Sequence, residues 1–337
     1  MLALAAPLAL TATVGEARQP RAARRGQALP SPITSEGQTG GMVALRAPPP
    51  SEVRFPGGPF LMGVNAPEQG DVLKVCRRET PASGACDLAM GRESLLHGEE
   101  VTPEELLQNE QFAHQVTLSP FALDQREVSV GDYLRCVDAG TCTRPPFAQG
   151  ALRFARPELP VTHVSWEDAR VYCRWRGKRL PTEAEWERAA RGLTARTYPW
   201  GNEYNRRLAN HGQLGTGYLR RQILGADRAK VSFHEPDPRD GFVELAPVGS
   251  FPSGRTPDGI DDLGGNVAEW VSDLYEPHFD MTAVVDPTGP ASSRSPWRVI
   301  RGGSYLHASP WLRATARLMA PPDERSSWIG FRCARSG

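Results

Sequence analysis

Beyond its first residues the chain has no apolar run approaching the length needed to cross a bilayer. It also lacks any surplus of charge, since 39 Lys and Arg balance 39 Asp and Glu. Without a net field, general attraction to nucleic acid or to an anionic membrane is excluded as its function. No internal repeat and no coiled-coil pattern can be found. None of the six cysteines stands in a CxxC pair or beside a histidine, which disfavours zinc.

Glycine and proline are plentiful, at 33 and 31 residues, while aromatics make up an ordinary 8%. That mixture in a chain of 337 residues suits a loop-rich globular protein with a substantial core. The start reads as an address. Leu2 to Val14 is apolar, and Gly15 and Ala17 supply the small residues of a cleavage site, so residues 1–17 form a signal-like segment. Residues 18–50, with a basic cluster and many Pro, Ser and Gly, read as a disordered linker. An even number of cysteines then fits an oxidising compartment, and three disulfides are the simplest arrangement.

Local signals place the first elements. Residues 52–64 read as a turn feeding a strand, and His114 to Asp124 as two short strands on either side of Ser119-Pro120. Residues 65–109 are polar, carry Cys76 and Cys86, and read as an insertion with a helical piece from Thr102 to Gln108. Ser129 with Asp132 announces a helix from Val130 to Asp138. Ser165 with Asp168 starts one from Trp166 to Arg176, and Thr182 with Glu185 starts one ending near Gly192. The expected apolar faces are Val171, Tyr172 and Trp175 on the second helix, and Ala184, Trp186 and Ala189 on the third. Beyond Gly192 the sequence is short apolar pieces between turns, a pattern usually held by disulfides or metal ions.

Five blocks then converge on one resemblance. PVTHVSWEDARVYCRWRGKRLPTEAEWERAARG (160–192), YPWGNE (198–203), DLGGNVAEWVSD (262–273), RVIRGGSY (298–305) and IGFRCAR (329–335) resemble, in order, the formylglycine-generating enzymes, the sulfatase-modifying factors. The resemblance covers most of residues 52–335 and implies one α+β domain, C-type-lectin-like, with little regular secondary structure. It also implies that Cys173 of the central helix pairs with Cys333 of the GFRC motif. Closing a loop of about 160 residues contributes roughly 5 kcal/mol in the chain-entropy picture. Cys136–Cys142 and Cys76–Cys86 are the expected local bridges.

The family binds structural calcium at two places, and the oxygen-bearing side chains are retained here. The first would use the side chains of Asn210 and Asp240 with carbonyls of His211 and Phe242, across a long insertion at 212–239. The second would use Asp262 and Glu269 with carbonyls of Gly265 and Val267. On composition alone Asp262 would be a turn cap and Glu269 a solvated charge.

Chemistry is another matter. Active relatives place two cysteines after GGSY to hold copper(I), a soft ion suited to thiolates, and use oxygen to turn a sulfatase cysteine into formylglycine. Here His307 and Leu312 occupy those positions, and Ala268 replaces a tryptophan after GN. Copper is therefore not expected. A lone loop histidine is more often hydrogen-bonded or exposed than a ligand. Ser304 has no visible histidine–acid pair in the sequence, so a hydrolase triad is unsupported. Ser304, Tyr305, Trp311 and Arg313 are either groove-lining or core.

Related non-haem iron sulfoxide synthases draw their ligands from an H-x-x-x-H-x-E helix. No such pattern joins His97, His114, His163, His211, His234, His278 and His307. The sequence thus points to an exported monomer, secreted or periplasmic, stabilised by calcium and binding a peptide, protein or other ligand. The alternative is an oxygen-dependent metal oxidoreductase with a non-standard centre that includes His307.

Overall fold

The computed structural model describes residues 51–65, 74–75, 78, 109–147, 151–214, 234–277, 281–282, 284–293 and 295–337. All lie in one compact unit that spans residues 48–337. The signal-like segment, the linker, the Thr102–Gln108 piece and the Cys76–Cys86 pair lie outside the described residues.

The capping residues set the helices where their side chains can reach the first free N–H groups. Ser129 accepts from Asp132 N at the start of α1 (Val130–Asp138). Full capping boxes open α2 (Trp166–Trp175), with Ser165 and Asp168, and α3 (Glu183–Arg191), with Thr182 and Glu185. Gly192 ends α3 at φ 66°, and a side chain there would meet the Arg196 guanidinium at 2.2 Å. The positive φ is what favours glycine at that corner.

Where a turn and one strand were expected over 52–64, two strands form: β1 (Glu52–Phe55) and β2 (Gly58–Met62). Strand β3 (His114–Leu118) alternates buried Val116 and Leu118 with exposed partners and pairs antiparallel with β2. Strand β4 (Phe121–Asp124) is buried throughout, because it lies between β1 and the C-terminal β11 (Ala334–Ser336). A short β5 (Gly212–Leu214) pairs with β6 (His234–Pro236). The four-stranded sheet runs in the order β10 (Ile329–Gly330), β7 (Ala268–Leu274), β8 (Arg298–Arg301), β9 (Arg317–Ala320). Its β10–β7 pair is parallel and the rest antiparallel.

Two bridges fasten the core. Cys173 in α2 bonds Cys333 across 160 residues, and Cys136 bonds Cys142 just past α1. Around them Tyr133 and Tyr172 stack at 5.4 Å, with Phe331 edge-on to Tyr133 at 6.3 Å. The buried face of α2 is Ala169, Tyr172 and Cys173; Val171 and Trp175 are only half-buried, which corrects the expected stripe.

The larger correction concerns α3, which is buried on every side, charges included. Periodicity could not show this, because buried ions are placed by partners distant in sequence. Glu183 takes Arg301 at 2.8 Å and Arg317 at 2.6 Å; Glu187 takes Arg301 at 2.6 Å and Gly63 N at 2.7 Å. Removing one partner from such a set strands a charge. Asp273, next to Glu183, accepts from Glu183 N at 2.9 Å, and burial pushes its carboxyl up to about 7.

Two outcomes follow from this packing. Replacing Cys173 and Cys333 together by alanine should cost about 2–5 kcal/mol, read from denaturant midpoints. The folded state keeps a proton on Asp273 that the unfolded chain releases near its ordinary value of 3.8. The stability this gives is full below that value and lost as pH rises through about 7. Asp273→Asn should therefore flatten Tm against pH in that window and exceed the parent Tm at about pH 8 by several degrees; an unchanged profile would refute the assignment.

Candidate functional site

The glycines of the GGSY block let β8 turn sharply back into the core: Gly302 and Gly303 sit at φ 90° and 65°. Ser304 follows fully buried, and its Oγ accepts from Leu306 N at 3.2 Å and lies 2.7 Å from His307 Nδ1. The histidine is 4% exposed, with Trp328 edge-on at 5.0 Å and Trp311 at 6.4 Å. It is a hydrogen-bonded buried residue. Its pairing with Ser304 was not legible in the sequence, although three-residue spacing in a turn was the available signal.

Leu312 ends a short 3₁₀ turn (Ser309–Leu312) and is 0% exposed. It packs with Tyr198 and Ala209 in a small apolar cluster flanked by Trp200 and Tyr204. Tyr305 donates or accepts at Ser327 Oγ, 3.1 Å away, and burial raises its phenol. Arg313 forks onto Glu110 at 2.6 and 2.7 Å. Ser304, Tyr305, Trp311 and Arg313 are thus all core residues. Ala268 is likewise buried, in the core around the long-range disulfide. Among the described residues no three His, Cys, Asp or Glu side chains are grouped to hold a metal.

The side chains named for the two expected calcium places are each held by hydrogen bonds within the protein. Across the insertion, Asp240 accepts from His211 N at 3.0 Å and from Phe242 N at 2.9 Å. Burial pushes the Asp240 carboxyl up to about 6. Asn210 donates Nδ2 to Glu244 O and to Asn266 Oδ1, at 2.8 and 3.0 Å.

At the second place Asp262 stands at φ 55° and accepts from Gly249 N at 2.5 Å. Its carboxyl is pushed up to about 6, chiefly by burial. Gly265 has φ 90°, and a Cβ there would lie 2.2 Å from Asn210 O, so the backbone approach requires glycine. Glu269 is 1% exposed rather than solvated. Both its oxygens accept from Arg332, and Oε2 also takes Trp186 Nε1 at 2.9 Å.

Two residues of this region escaped the sequence reading. Asn266, at φ 58°, accepts from Asn210 Nδ2 and Ala246 N and donates to Glu127 Oε1 at 2.9 Å. It therefore joins the two places. Glu127 is buried, its other oxygen has no hydrogen-bond partner, and burial together with Asp262 holds its carboxyl well above the usual range. Nothing in the sequence marks a lone EVS glutamate; for Asn266 the available signal was an asparagine directly after two glycines, a place where a turn residue with positive φ is common.

Comparison with known proteins bears on the family and the fold. The chain is 34% identical over 299 residues to the mouse (Mus musculus) "Inactive C-alpha-formylglycine-generating enzyme 2", covering 85% of this chain and 86% of that protein. It is 35% identical over 300 residues to the "Formylglycine-generating enzyme" of Streptomyces coelicolor, covering 84% and 88%. Among solved structures, PvdO from Pseudomonas aeruginosa shares the fold, with a TM-score of 0.57, 24% identity, and coverage of 86% of this chain and 95% of that one. Residues 42–337 match the "Sulfatase-modifying factor enzyme 1-like domain", and the chain belongs to that family.

Proposed function

We propose that this protein is an exported, calcium-stabilised member of the family that binds a peptide or other ligand and does not oxidise cysteine to formylglycine. One observation carries the reading: Leu312, at the position of the second cysteine, is wholly buried in an apolar slot. An alkyl group offers copper(I) no donor, and the neighbouring imidazole is held against Ser304. Copper does not fit these residues. The two relatives stand at 34% and 35% identity, so overall likeness does not separate an inactive member from an active one. The identities of His307 and Leu312 support the inactive reading.

Calcium fits better. Glu127, Asp262 and Glu269 face one guanidinium, Arg332, and Glu127 keeps a buried oxygen without a donor. An unpaired buried carboxylate oxygen is costly, and a hard cation with carbonyl neighbours relieves it. Asp262 and Glu127 would hold the ion with carbonyls of Gly265 and Val267, while Glu269 is already spent on Arg332. Asn210 and Asp240, with carbonyls of His211 and Phe242, would hold the other. Both ions would be structural. Export is supported by the two disulfides, which persist in oxidising compartments, and no helix among the described residues is long and apolar enough to cross a membrane.

Metal analysis and one assay test the reading. Purified protein should carry calcium, and chelation should lower Tm by several degrees, since ligand at about 100 times its Kd adds about 2.7 kcal/mol. Asp262→Asn with Glu127→Gln should remove most of that calcium response. A Cys-x-Pro-x-Arg peptide supplied with Cu(I) and oxygen should remain unmodified, and only the His307→Cys, Leu312→Cys double variant should gain Cu(I) binding. Stoichiometric copper or iron with turnover in the parent protein would instead establish the oxidoreductase alternative.

A further inference from the structure

Away from the GGSY loop, α2, the β3–β4 turn and the 284–288 loop enclose a groove of about 670 Å³. Its volume is that of a small-ligand site. Leu118, Pro120, Trp166 and Leu180 make the apolar part of its wall. Arg170 and Arg174, one helical turn apart on α2, face it together with Arg179.

The distribution of hydrogen bonds decides what such a groove can take. Each nearby carboxylate is already occupied by protein donors. Glu167 is forked by Arg170, and Glu185 by Arg179 at 2.6 Å through both oxygens. Asp286 accepts from Ser119 N at 2.6 Å and Ser119 Oγ at 2.7 Å. The cations are not all spent. Among the described residues Arg174 is exposed and makes no ion pair. Behind the wall, the Arg298 guanidinium lies 3.8 Å from the Trp166 ring centre and donates to Ser272 O at 2.8 Å. Its Nε is buried without an acceptor. Arg170, Arg174 and Arg179 thus line the groove with Arg298 behind it, and Arg174 is the one of these that is exposed.

We propose that this groove binds an oxyanion carried on an apolar body, with Arg174 as the principal contact and Trp166, Leu118 and Leu180 receiving the apolar part. The site is separate from the GGSY loop and from both calcium places, and it does not depend on the reading given for them. A carboxylate at the end of a small molecule and an acidic side chain beside an apolar one in a peptide present the same chemistry.

Calorimetric titration of the full chain tests this with phenyl phosphate and benzoate as probes, inorganic phosphate and benzylamine as controls, and the peptide Ac-Leu-Glu-NH2 as the polypeptide arm. Phenyl phosphate and benzoate should bind, inorganic phosphate should bind about tenfold more weakly for want of the apolar contact, and benzylamine should not bind. Binding should weaken as salt rises. Arg174→Glu, with its Tm measured alongside, should weaken both aromatic anions about tenfold or more, and Arg174→Gln, which only neutralises this exposed position, should fall between. Competition by the peptide would assign the carrier as polypeptide, and its absence as a small molecule. Absence of binding by either aromatic anion, equal binding of benzylamine, or indifference to Arg174→Glu would overturn the proposal.

Discussion

The structure hangs on a buried ion pair, Arg332 with Glu269, whose side chains are 0% and 1% exposed. A guanidinium removed from water is tolerable only when nearly all its N–H groups find acceptors. Here two nitrogens fork onto Glu269 and the remainder reach the carbonyls of Asp124, Gln125 and Asp261. Those acceptors lie on β7, at the end of β4 and in the loop before β7. One side chain therefore fixes how the C-terminal segment meets both principal sheets. Glu269 also holds Trp186, which brings α3 to the same point. Cys333, the next residue, closes onto α2. The disulfide restricts the unfolded chain, while the ion pair selects the folded arrangement.

That pair leaves an electrostatic remainder. Arg332 answers one carboxylate well, yet Glu127 and Asp262 share the same interior, and the burial that shifts them upward cannot be offset by a single cation. Asn266 can donate to Glu127 but brings no charge. The loop from Asp262 to Val267 adopts two left-handed non-glycine conformations, at Asp262 and Asn266, to aim these groups. Such backbone strain is kept where the surroundings demand it. The same remainder favours the calcium reading, because a divalent ion answers two buried carboxylates, Glu127 and Asp262, that one guanidinium leaves unbalanced.

Much of the fold could be read beforehand, and the reason is local. Capping residues speak to N–H groups three positions away, so Ser129, Ser165 and Thr182 located their helices to within a residue. The Ser119-Pro120 break likewise separated β3 from β4. What stayed hidden was ionic and long-range. Nothing near Glu183 or Glu187 announces Arg301 and Arg317, more than a hundred residues on, so α3 read as amphipathic when it is buried all round. The family resemblance supplied the Cys173–Cys333 pairing, which spacing alone left open. At the site, His307 and Leu312 were legible as substitutions, whereas the contact of His307 with Ser304 was not, since it depends on two positive-φ glycines turning the chain.

The two residues read as standing in for cysteines, His307 and Leu312, also fit their surroundings closely. A half-site with one thiol, or an empty slot at position 312, would leave either a reactive group or a cavity in a close-packed corner. Leucine instead joins Tyr198 and Ala209, and histidine satisfies Ser304 while packing against Trp328. With these residues in place, Ser304 and Leu312 have no exposed surface. A ligand reaching this loop would have to displace packed aromatic rings, at a cost of several kcal/mol by analogy with core disruption. The arginine-lined groove needs no such disruption, because Arg174 already stands exposed on α2, with half-buried Arg170 beside it. The proposed groove along α2 therefore asks less rearrangement of a ligand-bound state than the closed loop would.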